Sequence, residues 1–516
     1  MTSRFQHLVG SMTILCVLSA VAGKWQTVYP QSQQADGTDF YPSIRYGHTC
    51  NSYRGKLLTT HGYYYDRQRS LPTWLSDTWA INVADGSYTW ERLSTRLPQS
   101  EAYGAYSRGR IPRAPCGRFG HVSALIDGAL LLYGGNDGGY SRTDREDYRP
   151  GNEFNELWRF DLTNLTWSFL RPFGGGPGKR HMAGAAAVQG NFVLYGGMGR
   201  ERGDVWLYNP VDDRWEMLLD EVTVQNGGPG SRCGHAMLPW ITGQAAGFIV
   251  YGGQSQQPDG TYIVRDDAWF FDIEARRWRK LQPTPQMEAD GGATATPVGH
   301  FYQAAMTTSV TLPQSAVAAA LAGSKKACTD ASIAGGSSTS AASTTCDPSL
   351  RNANTARAPE AATAPVRLRV GIIAGGSTTT PGLTCSSQAW AFTTDCSVTR
   401  IIWARLPDLP LAMYDTRGAA VGGAAYVFGG HLCQLDQPSH LSYPYYYVNE
   451  ALRLDLGLGL DQDFDLGQVQ DFGSNSDLGV AALLRDGVGE ADGAAACAVR
   501  QGGKRERQEL SKNDEL

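Results

Sequence analysis

The sequence contains 516 residues, of which 42% are hydrophobic and 18% are charged, and it includes 61 Gly and 13 Trp. A chain with many Gly and Trp residues and few charges favours short strands joined by tight turns, which argues against a coiled coil or a helical solenoid. The formal net charge of −5 offers no broad basic surface for phosphate backbones, so nucleic acid is not the expected partner.

The first 22 residues have the pattern of a signal peptide. Arg4 precedes an apolar run over residues 8–21, and the small residues at 20–22 suit cleavage after Ala22 or Gly23. The run is shorter than the about 20 residues that span a bilayer, which favours a cleaved signal peptide over the alternative of an uncleaved membrane anchor. We therefore expect residues 1–22 to be removed and no transmembrane segment to remain.

A unit containing paired glycines and two tryptophans recurs six times between residues 25 and 456. In its clearest copy an apolar strand ends at Gly134-Gly135, a second strand carries Trp158, and a third begins at Trp167. This spacing between the tryptophans fits two strands joined by a short turn. The glycine pairs and their one variant are His61-Gly62, Gly134-Gly135, Gly196-Gly197, Gly252-Gly253, Gly375-Gly376 and Gly429-Gly430.

This arrangement resembles the kelch repeat. The resemblance implies an all-β fold, a six-bladed kelch-type β-propeller in which each blade is a four-stranded antiparallel sheet. We expect the glycines at the crowded inner edge of each blade and the tryptophans in the wedges between blades. Asp77, Asp204 and Asp267 each lie two residues before a Trp, and this repetition predicts turn-capping hydrogen bonds rather than catalysis.

The two ends of the repeat region predict how the ring closes. The sixth copy has Leu452 in place of its first Trp and has no second Trp, whereas Trp25 precedes the first copy. We expect the segment around Trp25 to supply the missing strand of the last blade, because closure removes exposed sheet edges. The propeller domain is therefore predicted to cover residues 23–456.

Two segments depart from the repeat. Residues 311–365 are dominated by Ala, Ser, Thr and Gly and are predicted to form a mobile insertion, which a disulfide between Cys328 and Cys346 could close into a loop. Residues 457–516 are rich in Gly, Asp and Ala and are predicted to form a disordered tail. Cys385 and Cys433 follow the glycines of adjacent copies, so a disulfide could join those two loops.

The C-terminal residues predict a cellular address. Asn513, Asp514, Glu515 and Leu516 resemble the Lys-Asp-Glu-Leu retrieval signal, which a receptor of that type reads on a free C-terminus. Together with the signal peptide they predict the lumen of the endoplasmic reticulum, with secretion as the alternative. Asn164 begins an Asn-Leu-Thr sequon in an expected surface turn, so we expect a glycoprotein.

No common hydrolase, nucleotide or zinc signature is present, so we expect no catalytic residues, no metal and no cofactor. One alternative comes from the resemblance, because some kelch propellers are copper oxidases of carbohydrates that use His and Tyr ligands. His61, His431 and His440 lie off the repeat pattern, close to a Tyr-rich run at 443–447. Iron-dependent specifier propellers are similar in shape, but their Glu-x-x-x-Asp-x-x-x-His signature is absent. The remaining repeat histidines, His48, His121, His235 and His300, are predicted to pack between blades.

The resemblance also implies a binding face at the mouth of the central channel. Two sets of side chains would point there: the residues after the glycines, and the Arg that opens the preceding strand. Five guanidinium groups would suit an acidic peptide or sugar, unless each pairs with a carboxylate of a neighbouring blade. The first set is Tyr63, Asn136, Met198, Gln254, Ser377 and His431, and the second is Arg45, Arg118, Arg180, Arg232 and Arg417.

The sequence therefore predicts a non-catalytic lumenal kelch propeller that binds a protein or glycan partner through the channel mouth. Tyr63–Tyr65 and Tyr445–Tyr447 lie on loops that become adjacent when the ring closes, and such clusters suit protein or sugar contacts. The alternatives are a copper-dependent carbohydrate oxidase and a purely structural scaffold.

Overall fold

The described part of the chain forms thirty β-strands. The computed structural model describes residues 22–28, 40–66, 71–96, 101, 105, 110–138, 153–198, 202–220, 227–242, 245–284, 296–312, 366–379, 384–433, 445–447 and 451–456. Within these ranges, no helix has the length and hydrophobicity needed to span a bilayer. The predicted signal peptide, apart from its last residue, lies outside them, as do nearly all of the insertion, the tail with its retrieval signal, and Cys328 and Cys346.

The strands form six blades and are numbered here in chain order. β1 covers Gln26–Val28. Blade one consists of β2 (Thr49–Tyr53), β3 (Lys56–Asp66), β4 (Leu71–Asn82) and β5 (Trp90–Ser94). Blade two consists of β6 (Val122–Ile126), β7 (Ala129–Tyr133), β8 (Leu157–Asp161) and β9 (Thr166–Leu170). Blade three consists of β10 (Gly184–Val188), β11 (Asn191–Tyr195), β12 (Val205–Asn209) and β13 (Arg214–Leu219).

The remaining blades carry additional short strands. Blade four consists of β14 (Ala236–Ile241), β15 (Ala246–Tyr251), an inserted hairpin of β16 (Gln254–Gln256) and β17 (Tyr262–Val264), then β18 (Ala268–Asp272) and β19 (Arg277–Lys280). Blade five adds β20 (Gln282–Thr284) to β21 (Ala304–Leu312), β22 (Val366–Ala374), β23 (Ala389–Thr394) and β24 (Arg400–Leu406). After β25 (Met413–Tyr414), blade six contains β26 (Arg417–Val421), β27 (Ala424–Phe428) and, beyond β28 (His431–Cys433) and β29 (Tyr445–Tyr447), β30 (Ala451–Asp455).

The blades are arranged in a closed ring, which confirms the predicted six-bladed propeller. The first full strand of each blade lies innermost, at β2, β6, β10, β14, β21 and β26, and each contacts its counterpart in the next blade. The contact between β26 and β2 completes the circle. Side chains of β6 and β10 alternate between buried and half-buried, as expected when only one face of a strand packs against a neighbour. β7 is buried on both faces, which its sequence Ala-Leu-Leu-Leu-Tyr satisfies.

Aromatic side chains fill the wedges between blades, as the sequence predicts. In blades one, three, four and five, the indole of the fourth blade strand packs against an aromatic residue that ends the second strand of the preceding blade. Trp215 lies 5.4 Å from Tyr133 between ring centroids, and Trp278 lies 4.8 Å from Tyr195. The same contact recurs between Trp403 and Tyr251, and between Trp90 and Phe428. Repetition of one packing unit therefore holds neighbouring blades together.

The glycine pairs connect each blade to the next by a backbone hydrogen bond. The second glycine donates its N–H to the carbonyl of the residue that opens the following blade, as from Gly135 to Arg180 at 2.9 Å and from Gly430 to Arg45 at 3.0 Å. The first glycine is required because Gly134 has φ +70° and a Cβ there would lie 2.5 Å from the Arg180 carbonyl oxygen. The equivalent bonds elsewhere start at Gly62, Gly197, Gly253 and Gly376.

The N-terminal segment closes the ring in the predicted way. β1 pairs antiparallel with β30, so blade six has the strand order β1-β30-β27-β26. Trp25 is 8% exposed, packs in a cluster with Leu452 and Leu454, and donates its indole N–H to the carbonyl of Pro407 at 2.8 Å. The first and last described strands of the chain therefore belong to one sheet.

Candidate functional site

One end of the channel, here called the mouth, is built from two sets of paired residues. The residue after each glycine pair forms a β-bridge with the residue that follows the opening position of its blade. All six residues predicted after the glycines occupy this place around the axis, but only Tyr63 and Met198 are half-buried. The other four are at most 9% exposed, which corrects the prediction that they present their side chains to a ligand: Asn136, Gln254, Ser377 and His431. The pairs are Tyr63 with Tyr46, Asn136 with Phe119, Met198 with His181, Gln254 with Cys233, Ser377 with Phe301, and His431 with Tyr414.

Six aromatic rings run around the mouth from blade six to blade three, and we call them the aromatic arc. They are Tyr414, His431, Tyr46, Tyr63, Phe119 and His181, whose successive ring centroids lie 4.8, 3.8, 4.9, 5.8 and 6.0 Å apart. Tyr46, Tyr63, Phe119 and His181 are half-buried and keep surface open to a partner. Three of these four, Tyr46, Phe119 and His181, were not predicted as site residues, although each directly follows the Arg that opens its blade.

A ring of residues with left-handed backbone forms the floor of the mouth, and we call it the collar. Its members have φ between +54° and +63°, and each donates its backbone N–H to the carbonyl of the member before it, as from Tyr302 to Gly234 at 2.7 Å. Gly47 of blade one begins this series and Asp415, just before β26 of blade six, ends it. The members are Gly47, Gly120, Met182, Gly234, Tyr302 and Asp415.

Tyr302 is the largest side chain of the collar. Its ring lies where a Cβ on Gly234 would come within 2.4 Å, so glycine at 234 makes room for it. Its hydroxyl lies 3.5 Å from the Gln254 side-chain nitrogen and 4.0 Å from the Met198 sulfur. Tyr302 of blade five thus reaches residues of blades four and three and lies across the mouth. A bulky residue at positive φ stores backbone strain, a common property of functional positions.

Four of the predicted ligand-binding arginines are inside the protein, which corrects the prediction that they line the mouth. Arg45, Arg118, Arg180 and Arg232 are at most 2% exposed. Each forms an ion pair with a carboxylate of its own blade rather than a neighbouring one: Asp77 at 3.2 Å, and Glu156, Asp204 and Asp267 at 2.8 Å. A guanidinium without exposed surface cannot meet a ligand, so these groups belong to the framework.

Each carboxylate also accepts the indole N–H of the Trp two residues later. Asp204 binds Trp206 at 2.7 Å and Asp267 binds Trp269 at 2.8 Å, and Arg180 additionally donates to the carbonyl of Gly196 at 3.0 Å. We call this group of arginine, carboxylate and indole the clamp. It confirms a structural role for the repeated Asp residues, through bonds to Arg and Trp instead of a turn.

The fifth and sixth blades have no arginine at the opening position and so depart from the clamp. The opening position is His300 in blade five and Met413 in blade six, since these carbonyls accept the glycine N–H bonds at 2.7 and 2.8 Å. His300 therefore takes the arginine position, not the position of His48. Arg417 begins β26 and pairs with Asp415 of the collar at 2.8 Å, with its side chain 22% exposed. Of the five predicted arginines, Arg417 alone keeps exposed surface.

The buried repeat histidines pack between blades, as predicted for His48, His121 and His235. Their ring centroids lie 5.5 Å from Phe428, 5.3 Å from His61 and 5.0 Å from Tyr195, respectively. Burial lowers the pKa of His235 to about 3 and that of His431 to about 3. Desolvation disfavours the charged imidazole, so both rings are neutral at pH 7.

The off-pattern histidines lie in different surroundings. His61 is buried between blades one and two, next to His121 and Trp167, whereas His431 belongs to the aromatic arc between Tyr46 and Tyr414. Across the described ranges, no three His, Cys, Asp or Glu side chains are grouped so that they could hold a metal ion. His440 and residues 443–444 lie outside the described residues.

Acidification is expected to destabilise the propeller through His235. Its pKa is about 3 in the folded chain and about 6.5 in an unfolded one, so the unfolded state binds more protons below pH 6.5 and stability falls as pH drops through that range. Between pH 7 and pH 5, the difference in proton binding at His235 should lower the free energy of unfolding by about 2 kcal/mol. Denaturant unfolding at both pH values measures it in the wild type and in His235→Gln.

The Gln variant has a structural precedent, because Gln303 fills the equivalent position in blade five, where its side chain donates to the Tyr251 carbonyl. His235→Gln should therefore fold and lose about 2 kcal/mol less on acidification than the wild type. An identical loss in both proteins would show that His235 is not the titrating group.

The cysteines and the glycosylation sequon lie in different parts of the propeller. Cys385 is disulfide-bonded, and its predicted partner Cys433 ends β28; that pairing stays a prediction. Cys50 and Cys116 are free thiols, and burial raises their pKa to about 12 and about 11. Asn164 is exposed in the turn between β8 and β9, where its backbone N–H binds Asp161.

The tyrosine loops lie at the mouth side of blades one and six. Residues 63–65 belong to β3, which extends past the glycine and pairs with the start of β4, whereas residues 445–447 form β29 and pair with His431–Cys433. The contact of Tyr46 with His431 joins these two blades. The predicted neighbourhood of the two loops is thereby confirmed.

Comparison with known proteins identifies the repeat. Residues 108–301, which contain blades two to four, match the family model described as the KLHDC2/KLHL20/DRC7 Kelch-repeats domain. Blades two to four are therefore similar to kelch repeats.

Several curated proteins are similar over part of the chain. Human Kelch domain-containing protein 10 is 28% identical over 208 residues, which cover 38% of this chain and 42% of that protein. The N-(sulfonatooxy)prop-2-enimidothioate sulfolyase of Thlaspi arvense is 31% identical over 150 residues, which cover 28% of this chain and 38% of that enzyme. The Arabidopsis thaliana serine/threonine-protein phosphatase BSL2 is 29% identical over 176 residues, 32% of this chain and 16% of the phosphatase. The matches thus span less than half the length of these relatives.

Proposed function

We propose that the protein is a non-catalytic propeller that binds a protein partner at the mouth, in the lumen of the endoplasmic reticulum. The observation that carries this proposal is the aromatic arc, whose rings Tyr46, Tyr63 and Phe119 are half-buried at one open end of the channel. Aromatic side chains that keep exposed surface on a rigid scaffold are typical of protein-binding hot spots. The kelch match of residues 108–301 supports the same role.

The proposed address rests on sequence features and on one structural position. The signal peptide of residues 1–22 would admit the chain to the lumen, and Asn513–Leu516 would return it through a receptor of the Lys-Asp-Glu-Leu type. The exposed turn that carries Asn164 is accessible to the glycosylation machinery of that compartment. A glycan partner is the second ligand class that exposed tyrosines would suit.

Removing the Tyr302 ring is expected to weaken partner binding about tenfold, since loss of an aromatic anchor costs on the order of 1–2 kcal/mol. We choose Tyr302→Gly because glycine occupies the same collar position in blades one, two and four and accepts its φ of +56°. Proximity labelling in cells, with the C-terminal signal intact, compares the partners of wild type and variant.

Phe173→Ala is the control, because Phe173 is 67% exposed and pairs with Arg214 at the outer edge of blade three. It should label the same partners as the wild type. If Tyr302→Gly folds and also keeps every partner at wild-type level, the mouth is not the binding surface.

A further inference from the structure

The mouth combines balanced charge with exposed aromatic surface. The ion pairs beneath it neutralise the four buried arginines inside their own blades. At the collar Arg417 pairs with Asp415, and in the aromatic arc His181 binds Glu153 at 2.7 Å. Asp137, next to Asn136, is 1% exposed. Among the described residues at the opening positions, at the positions after the glycines and in the collar, no Arg is left without a carboxylate partner, so an acidic ligand would lose its hydration there without compensation.

The aromatic arc offers an apolar contact surface instead. Its rings meet mostly edge to face: Tyr46 and Tyr63 are inclined by 83°, and Tyr46 and His431 by 75°. Phe119 and His181 continue the surface into blades two and three with an inclination of 68°. A further ring from a ligand can extend this arrangement in the same geometry, which favours aromatic pairs by about 0.5–1.5 kcal/mol beyond the area buried.

Polar groups next to the arc would orient such a ligand. The Gln254 side chain and the Tyr302 hydroxyl face each other at 3.5 Å on the far side of the mouth. Tyr302 is half-buried, so its hydroxyl can bond to peptide groups of a bound segment, whereas Gln254 is 8% exposed and orients that hydroxyl. The mouth therefore has an apolar side and a polar side, as small-ligand and peptide sites commonly do.

We infer that the partner presents an uncharged polypeptide segment whose aromatic side chain packs against Tyr63 and Phe119 of the aromatic arc. This inference rests on the proposed function of the mouth and names the chemistry of its ligand. It differs from the acidic ligand expected from the sequence, because four of the five predicted arginines are buried and all five are paired with carboxylates. Because binding of an uncharged segment pairs no opposite charges, its affinity should depend little on salt concentration.

Selection from a displayed library of random peptides of about twelve residues, which reach about 40 Å when extended, tests this ligand chemistry. The purified, signal-free protein is the bait, beside Phe119→Ala and the matched exterior variant Phe173→Ala. We expect uncharged peptides containing Phe, Tyr or Trp to be enriched by the wild type and by Phe173→Ala. Their affinity for Phe119→Ala should fall about tenfold.

Each outcome separates the ligand chemistry from the mouth function. Enrichment of Asp- and Glu-rich peptides, with affinity that falls steeply with salt and is lost in Phe119→Ala, would overturn the inference and keep the mouth as the site. Equal enrichment by wild type and Phe119→Ala would place binding elsewhere and overturn both. If no peptide is enriched but a glycan array binds the wild type alone, carbohydrate is the ligand and the inference is wrong.

Discussion

Replacing Trp25 with Ala is expected to lower the free energy of unfolding by about 3–5 kcal/mol, the range for truncating a buried tryptophan. Trp25 is 8% exposed and packs with Leu452 and Leu454. The substitution would also remove the indole N–H that donates to the Pro407 carbonyl and leave that carbonyl without its donor. Deleting residues 24–28 should cost more, because it also removes β1 and exposes β30 as an unpaired edge.

Urea unfolding of the signal-free protein, followed by circular dichroism, measures this loss. Phe173→Ala, which truncates an exposed aromatic ring, is the control. Its free energy of unfolding should stay within about 0.5 kcal/mol of the wild-type value. If the chain lacking residues 24–28 unfolds at the same urea concentration as the full one, closure by β1 contributes nothing to stability.

Arg180→Ala is expected to destabilise the propeller by about 3 kcal/mol, because it removes both hydrogen bonds from Arg180 to the buried Asp204 carboxylate and leaves only Arg202, at 3.9 Å, as a cation near it. Burial by itself would raise the pKa of Asp204, but the hydrogen bonds and charge of Arg180 outweigh it and hold the pKa below its usual value. The variant also removes the bond to the Gly196 carbonyl. Differential scanning calorimetry at neutral pH compares it with the wild type.

Arg159→Ala provides the matched control for Arg180→Ala. Arg159 pairs with Asp161 at 2.9 Å, but its side chain is 39% exposed, and an exposed pair contributes at most about 1 kcal/mol. If Arg180→Ala unfolded like the wild type and lost partner labelling instead, Arg180 would be a ligand-binding residue and the clamp would not be its role.

The fold follows from the sequence because its determinants repeat. A glycine recurs at one position in all six blades, and the tryptophans of blades two to four share one spacing, so copies that lack part of the pattern do not obscure it. The absent second Trp of the sixth copy, together with Trp25, was sufficient to predict closure. What repeats in the sequence corresponds to backbone positions that allow little choice of residue.

The mouth was only partly predictable, for the opposite reason. Arg118 and Arg180 repeat as regularly as the glycines because they are framework, yet a regular ring of Arg resembles a ligand site when burial is unknown. Tyr302 occurs once, at a position that is glycine in three other blades, so no repetition marks it. The displacement of Arg417 from the opening position became visible only through the hydrogen bond that ends at Met413.

The pairing of β1 with β30 has a consequence for how the protein is made. The strand at residues 26–28 leaves the ribosome early, but its partner at 451–455 follows more than four hundred residues later. At translation rates of about 5–20 residues per second the first strand waits for on the order of half a minute or more. During that interval the blades already formed cannot close into a ring, so this is the period in which chaperones have an exposed sheet edge to protect.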